Sequence, residues 1–202
     1  MLSRIPVFKF YIIFLINIYI FGGYSYAGVK KSEYNVATFA GGCFWCLQPP
    51  YDKTEGVVKT VVGYAGGIEK NASYEQVSSG LTRHVEAIQI TYDPSIVSYG
   101  ALISLFWRNI DPFDNKGQFC DKGNQYKSVI YYHDNKQREV AEQTKQKIEL
   151  DKQNVSTSLR EYTTFYPAED YHQSYYKKNP IRYKLYRYSC GRDKRLEAIW
   201  GR

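Results

Sequence analysis

Hydrophobic and polar positions along the chain follow two rhythms. From Glu33 onward, stretches of alternating or continuous apolar character trade places with stretches that carry an apolar stripe every three or four residues. Tyr34–Ala40 (YNVATFA), Gly56–Tyr64 (GVVKTVVGY), His84–Tyr92 (HVEAIQITY), Tyr126–His133 (YKSVIYYH) and Leu159–Tyr166 (LREYTTFY) read as strands. The first runs into Gly41-Gly42, the second stops at Ala65-Gly66-Gly67, and the third stops at Asp93-Pro94. A short helix is predicted to open at Cys43, limited or bent early by Pro49 and Pro50. Ser98 is placed to cap an apolar helix over Tyr99–Ile110. Asp134 is placed to cap another over Asn135–Leu150, with Val140, Ala141, Thr144 and Ile148 as its stripe. Beyond Pro180 the tail reads as irregular. Strands and helices mixed in this way predict an α+β fold in layers, without repeats or low-complexity tracts.

The first residues have a different pattern. Arg4 and Lys9 precede an apolar run from Phe10 to Phe21, and Ser25 and Ala27 follow at small-x-small spacing. A basic start, a short apolar middle and a small-residue end predict a secretory signal over residues 1–27, leaving a single domain over 28–202. The run is shorter than the ~20 residues of a membrane span, so export to a periplasm or to the outside is expected, with an uncleaved membrane anchor as the alternative. The net charge is +7, but bases and acids are interspersed, which argues against a nucleic-acid face. Export permits disulfides. Four cysteines are too few for a disulfide scaffold in a chain of this size, so they are expected to be chemical.

Gly41-Gly42-Cys43-Phe44-Trp45-Cys46 is the stretch where chemistry concentrates. A strand that ends in two glycines and opens a helix puts Cys43 near unpaired N–H groups, which favour a thiolate and predict a lowered pKa. The glycines allow a sharp turn and close approach of a substrate. Phe44 and Trp45 are placed to wall a pocket for a small apolar group. A metal site is not expected: the single C-x-x-C lacks a second pair, Cys120 and Cys190 stand alone, and His84, His133 and His172 are scattered. A thioredoxin-like dithiol is the rival reading of Cys43 and Cys46. In His84–Tyr92, alternation puts Glu86 on one face with Ile88, Ile90 and Tyr92. A carboxyl there loses hydration and stays protonated to higher pH, which suits a proton donor; a strand-end glutamate reaching water is the alternative.

Five motifs in order, GGCFWC, VGYAGG, HVEA, DKGNQYKSVIYYH and FYPAEDYHQSYYKKNP, resemble the A-type peptide methionine sulfoxide reductases, which act on the S epimer. The resemblance runs from about Val36 to the C-terminus. It implies an α/β roll around a mixed sheet flanked by helices, with no metal and no cofactor. It implies that Cys43 is the nucleophile, that Phe44 and Trp45 hold the substrate methyl group, and that Glu86 protonates the sulfoxide oxygen. Tyr64 and Tyr126 would bind that oxygen, with Asp121 as a polar partner. A second cysteine would resolve the sulfenic acid; the resemblance favours Cys190 on the tail, then Cys46. The implied partners are methionine sulfoxide in peptides and oxidised proteins and a thioredoxin-like reductant, with the chain itself a monomer. Gln48 and Arg83 depart from the pattern, which more often carries an acid and a glycine there.

Overall fold

The computed structural model describes residues 33–151 and 154–201. The predicted signal segment, residues 1–27, lies outside them. Along the chain come β1 (Asn35–Ala40), α1 (Phe44–Asp52), β2 (Val57–Ala65), α2 (Tyr74–Ser78), β3 (Val85–Tyr92) and α3 (Tyr99–Trp107). Next are the short strands β4 (Gly117–Gln118) and β5 (Asp121–Lys122), a 3-10 turn at Asn124–Tyr126, β6 (Val129–Tyr132) and α4 (Asn135–Asp151). β7 (Ser158–Glu161), β8 (Phe165–Pro167), α5 (Tyr175–Lys178), α6 (Pro180–Ser189) and α7 (Arg192–Trp200) complete the order.

Six strands form one sheet in the order β7-β6-β1-β3-β2-β8. All neighbours are antiparallel except β6 and β7, so the sheet is mixed, as expected. The stretch predicted as one strand, Leu159–Tyr166, is two strands at opposite edges, with only residues 162–164 between them. Laid flat, five inter-strand gaps would separate those edges by roughly 24 Å. The four Cα steps from Glu161 to Phe165 reach at most about 14 Å. The sheet must therefore curl until its edges nearly meet, which makes it a roll. The crossing is secured where the Tyr162 N–H donates to the Tyr132 carbonyl at 2.9 Å.

The main core lies between one face of this sheet and the helices, with Phe39, Leu47, Tyr51, Ile88, Ile90, Ile103 and Phe106 completely buried. A smaller cluster, including Ala65, Ala87, Val129 and Tyr131, fills the inside of the curl. Ser98 caps α3 by accepting from the Ala101 N–H, as predicted.

The tail differs from its predicted irregular course, because α5, α6 and α7 occupy most of it. Pro180 stands in the first turn of α6, where its missing N–H costs nothing. α6 buries none of its residues fully, and its apolar Ile181, Leu185 and Tyr188 are exposed. α7 docks through Leu196 and Ile199. Gly191, in the left-handed region at φ 67°, separates the two helices.

Candidate active site

Three chain segments converge beneath the start of α1. Cys43 is the residue just ahead of the helix, and its position depends on the two glycines before it. A Cβ on Gly41 would lie 2.6 Å from Ile110 Cγ2. Gly42 has φ 76°, and a Cβ there would lie 2.6 Å from Gln118 Cβ. The glycines therefore admit close packing of protein on protein, not the approach of substrate that the sequence suggested. Past Cys43 the helix continues through Pro49 and Pro50 to Asp52. Gln48, one of the departures from the family pattern, is buried; it donates to Thr60 Oγ1 and accepts from the Ser174 N–H, tying α1 to β2 and to the tail.

Glu86 lies on β3 directly opposite Tyr64 of β2. It is buried on the face shared with Ile88 and Ile90, as alternation predicts, and does not reach water. Its Oε2 accepts from the Phe44 N–H at 3.0 Å. Burial raises its pKa to about 8, against the lowering effect of that N–H. At neutral pH the Glu86 carboxyl therefore keeps its proton.

Asp121 comes from the β4–β5 hairpin. It accepts from the Cys43 N–H and, at 2.6 Å through Oδ2, from the Tyr186 hydroxyl of α6. Cys43, Phe44, Trp45, Tyr74, Glu86, Asp121, Tyr126 and Tyr186 enclose a cavity of about 70 Å³. That volume accommodates the tip of a side chain and not a peptide. Trp45 is fixed by a 3.0 Å hydrogen bond from Nε1 to His172 Nδ1 and by stacking on Tyr175, ring centroids 3.8 Å apart.

The four sulfurs form two pairs. Cys43 and Cys46 are free, buried and hydrogen-bonded to each other. Cys120 and Cys190 form a disulfide. Cys190, expected first as the resolving cysteine, is here bonded to Cys120 of the hairpin, and Cys46, expected as its alternative, is the sulfur beside Cys43. The expected low pKa of Cys43 is corrected. Burial pushes it well above the usual thiol range, reinforced by Cys46 and Glu86. Cys46 is held down to about 6, first by the hydrogen bond from Cys43 and then by the charges of Arg192 and Arg187, against its own burial. The two sulfurs are coupled: their hydrogen bond raises the pKa of Cys43 and lowers that of Cys46.

A family model for peptide methionine sulfoxide reductase matches residues 35–202. The chain belongs to that family. It is 48% identical over 170 residues to the peptide methionine sulfoxide reductase MsrA of Bacillus licheniformis, covering 83% of this chain and 94% of that one. It is 49% identical over 174 residues to the MsrA/MsrB protein of Vibrio cholerae, but spans 46% of that protein's length. Among solved structures, the reduced form of Mxr1 from Saccharomyces cerevisiae superposes with a TM-score of 0.70 at 32% identity, over 75% of this chain and 88% of that one. Methionine sulfoxide reductase A of Corynebacterium diphtheriae gives 0.66 at 32% identity, over 73% and 76%. The α+β roll is the fold of this family.

In this reductase, Tyr126 lines the cavity as expected. Tyr64 stands beside it, its hydroxyl donating to Glu169 Oε2 at 2.8 Å, and the other oxygen of Glu169 holds the Tyr74 N–H. Tyr74 and Tyr186 are lining residues that the sequence reading missed. Tyr74 follows Ser73, whose capping box with Gln76 was a visible helix signal. Tyr186 gave no such signal, because it sits in a tail crowded with other tyrosines.

Proposed function

We propose that Cys43, Glu86 and Cys46 carry out the thiol-dependent reduction of methionine S-sulfoxide, free or in proteins, to methionine. The observation that carries this reading is a buried carboxyl, Glu86, facing the same small cavity as the Cys43 sulfur. A sulfoxide sulfur is a poor electrophile until its oxygen takes a proton, and Glu86 is the group that keeps one at neutral pH. Tyr126 and Tyr74 orient the oxygen, and Phe44 and Trp45 hold the methyl group. The Cys43 sulfur attacks the sulfoxide sulfur and passes its own proton along the S–H···S hydrogen bond to Cys46. The sulfoxide S–O bond breaks, its sulfur gains two electrons, and methionine leaves. An S–O bond to Cys43 forms as the S–S bond made in the attack breaks, its electron pair staying on the methionine sulfur, so Cys43 is left as sulfenic acid carrying the proton from Glu86. Cys46 then condenses with the sulfenic acid, forming the Cys43–Cys46 disulfide and releasing water. An external dithiol of the thioredoxin kind reduces that disulfide.

The rival reading, a general C-x-x-C oxidoreductase, is opposed by the burial of both sulfurs; Cys46 is 1% exposed. Such an enzyme must present a thiol to large protein disulfides. Incubation with the S and R epimers of a methionine sulfoxide peptide and dithiothreitol separates the two. Turnover of the S epimer alone is expected, and insulin reduction without sulfoxide turnover would contradict it.

We further propose that the chain is exported. The pattern of residues 1–27 supports export, and so does the Cys120–Cys190 disulfide, since oxidising compartments retain such bonds. Among the described residues no helix is long and apolar enough to cross a membrane. Cleavage after Ala27 removes Met1, the one methionine of the chain, leaving an enzyme that cannot suffer the lesion it repairs. N-terminal sequencing of the exported protein is expected to start at Gly28; a start at Met1 would favour the anchor.

A further inference from the structure

The Cys120–Cys190 disulfide joins two segments that each bring one polar group to the cavity. Cys120 lies in the turn of the β4–β5 hairpin, next to Asp121. Cys190 closes α6 one helical turn after Tyr186, its N–H donating to the Tyr186 carbonyl at 2.9 Å. The Tyr186 hydroxyl meets Asp121 Oδ2 at 2.6 Å, so the disulfide and this hydrogen bond close a small ring between hairpin and helix. The same hydroxyl lies within hydrogen-bonding reach of the Cys43 thiol. The ring is supported from behind. Arg192, buried two residues past Cys190, packs over the Phe119 ring and donates to the Asn109 and Gly41 carbonyls. Trp45 meets the Tyr186 ring edge-on at 5.9 Å.

We propose that Tyr186 is a further catalytic residue: its hydroxyl donates a hydrogen bond to the Cys43 thiolate, and the Cys120–Cys190 disulfide holds it in place to do so. This rests on Cys43 as the attacking sulfur. One hydroxyl proton cannot serve two acceptors at once. While Cys43 is a thiol, the Tyr186 proton goes to Asp121. When Cys43 gives up its proton, charge appears on a buried sulfur that water cannot solvate, and the hydroxyl turns from carboxylate to sulfur. Asp121 keeps the Cys43 N–H meanwhile. The remaining ionisable groups around Cys43 do not offer this service. Cys46 and Glu86 oppose its ionisation, and Tyr74 and Tyr126 face it from α2 and the 3-10 turn across the cavity that substrate fills. The disulfide thus has a role distinct from resolution. It fixes a catalytic hydroxyl on a helix that otherwise buries no residue of its own.

The test is the pH dependence of Cys43 alkylation by iodoacetamide, followed by peptide mass spectrometry in a Cys46→Ser background so that one sulfur titrates. Alkylation needs no sulfoxide, so its outcome is independent of whether Cys43 is the nucleophile in turnover. Tyr186→Phe preserves the ring and its packing and removes only the hydroxyl. It is expected to move the midpoint upward by about one pH unit, equivalent to tenfold less thiolate at a fixed pH. Cys120→Ala with Cys190→Ala is expected to move it in the same direction. An unmoved midpoint in Tyr186→Phe overturns the role of the hydroxyl. A shift in Tyr186→Phe without one in the double alanine variant overturns the role of the disulfide.

Discussion

The two sulfur pairs of this reductase occupy opposite kinds of place. Cys43 and Cys46 sit three residues apart at a helix start, sealed among aromatics, reduced and hydrogen-bonded to each other. Cys120 and Cys190 are 70 residues apart, near the surface and oxidised. The first pair is placed by local sequence: two glycines, a turn and a helix. The second pair is placed by topology, which brings a hairpin and the tail together. Burial makes the first pair sensitive to its neighbours, because a charge there is stabilised only by specific partners. The second pair gains nothing from neighbouring charges, and its contribution is to restrict the chain. Residues of one type thus perform chemistry or bracing according to where the fold puts them.

The largest effect that can break this contrast is Cys43→Ser. It is expected to remove methionine production altogether while the urea unfolding midpoint stays within error, since the change is nearly isosteric. Substantial residual turnover would remove Cys43 as the nucleophile and leave no contrast to explain.

Glu86→Gln comes next. It keeps size and hydrogen bonding but has no transferable proton, so the single-turnover reductive step should slow about 10²-fold or more. The pH profile sharpens the same point. Glu86 must carry its proton, so the wild-type step should fall as pH rises through about 8. The buried sulfur pair must have lost one proton, so it should also fall below about 6. Glu86→Gln should lose the alkaline limb and keep the acid one; retention of both limbs would assign the proton to another group.

The smallest effect on the chemistry belongs to the bracing pair, whose loss is read in stability instead. Replacing Cys120 and Cys190 by alanine opens a loop of 70 residues, which the chain-entropy account values at about 4.4 kcal/mol. The urea midpoint should fall by roughly 1–2 M. An unchanged midpoint would mean that the disulfide constrains little beyond Tyr186.

Much of this was legible in the sequence because it is local. Alternation put Glu86 on the buried face, and the Gly-Gly-Cys turn placed Cys43. Long-range placement was not legible. Asp121 entered through family resemblance alone, since nothing in a short polar hairpin distinguishes it. The partition of Leu159–Tyr166 between two sheet edges depends on the curl of the whole sheet. The sign of the Cys43 shift was misjudged because the helix-end argument counts favourable N–H groups and omits the burial that outweighs them. The Cys120–Cys190 bond was not legible, because it is fixed by where the hairpin turn meets the end of α6. Tyr186 was hidden among the many tyrosines of the tail.

The division of labour between the pairs is most directly tested by mapping disulfides after one turnover. Enzyme with Cys43 and Cys46 reduced is mixed with one equivalent of methionine S-sulfoxide peptide, quenched with acid, alkylated and digested without reductant. The account predicts a Cys43–Cys46 linkage in proportion to the methionine released, with Cys120–Cys190 intact throughout. A Cys43–Cys190 linkage forming at that rate, with Cys120 set free, would contradict it.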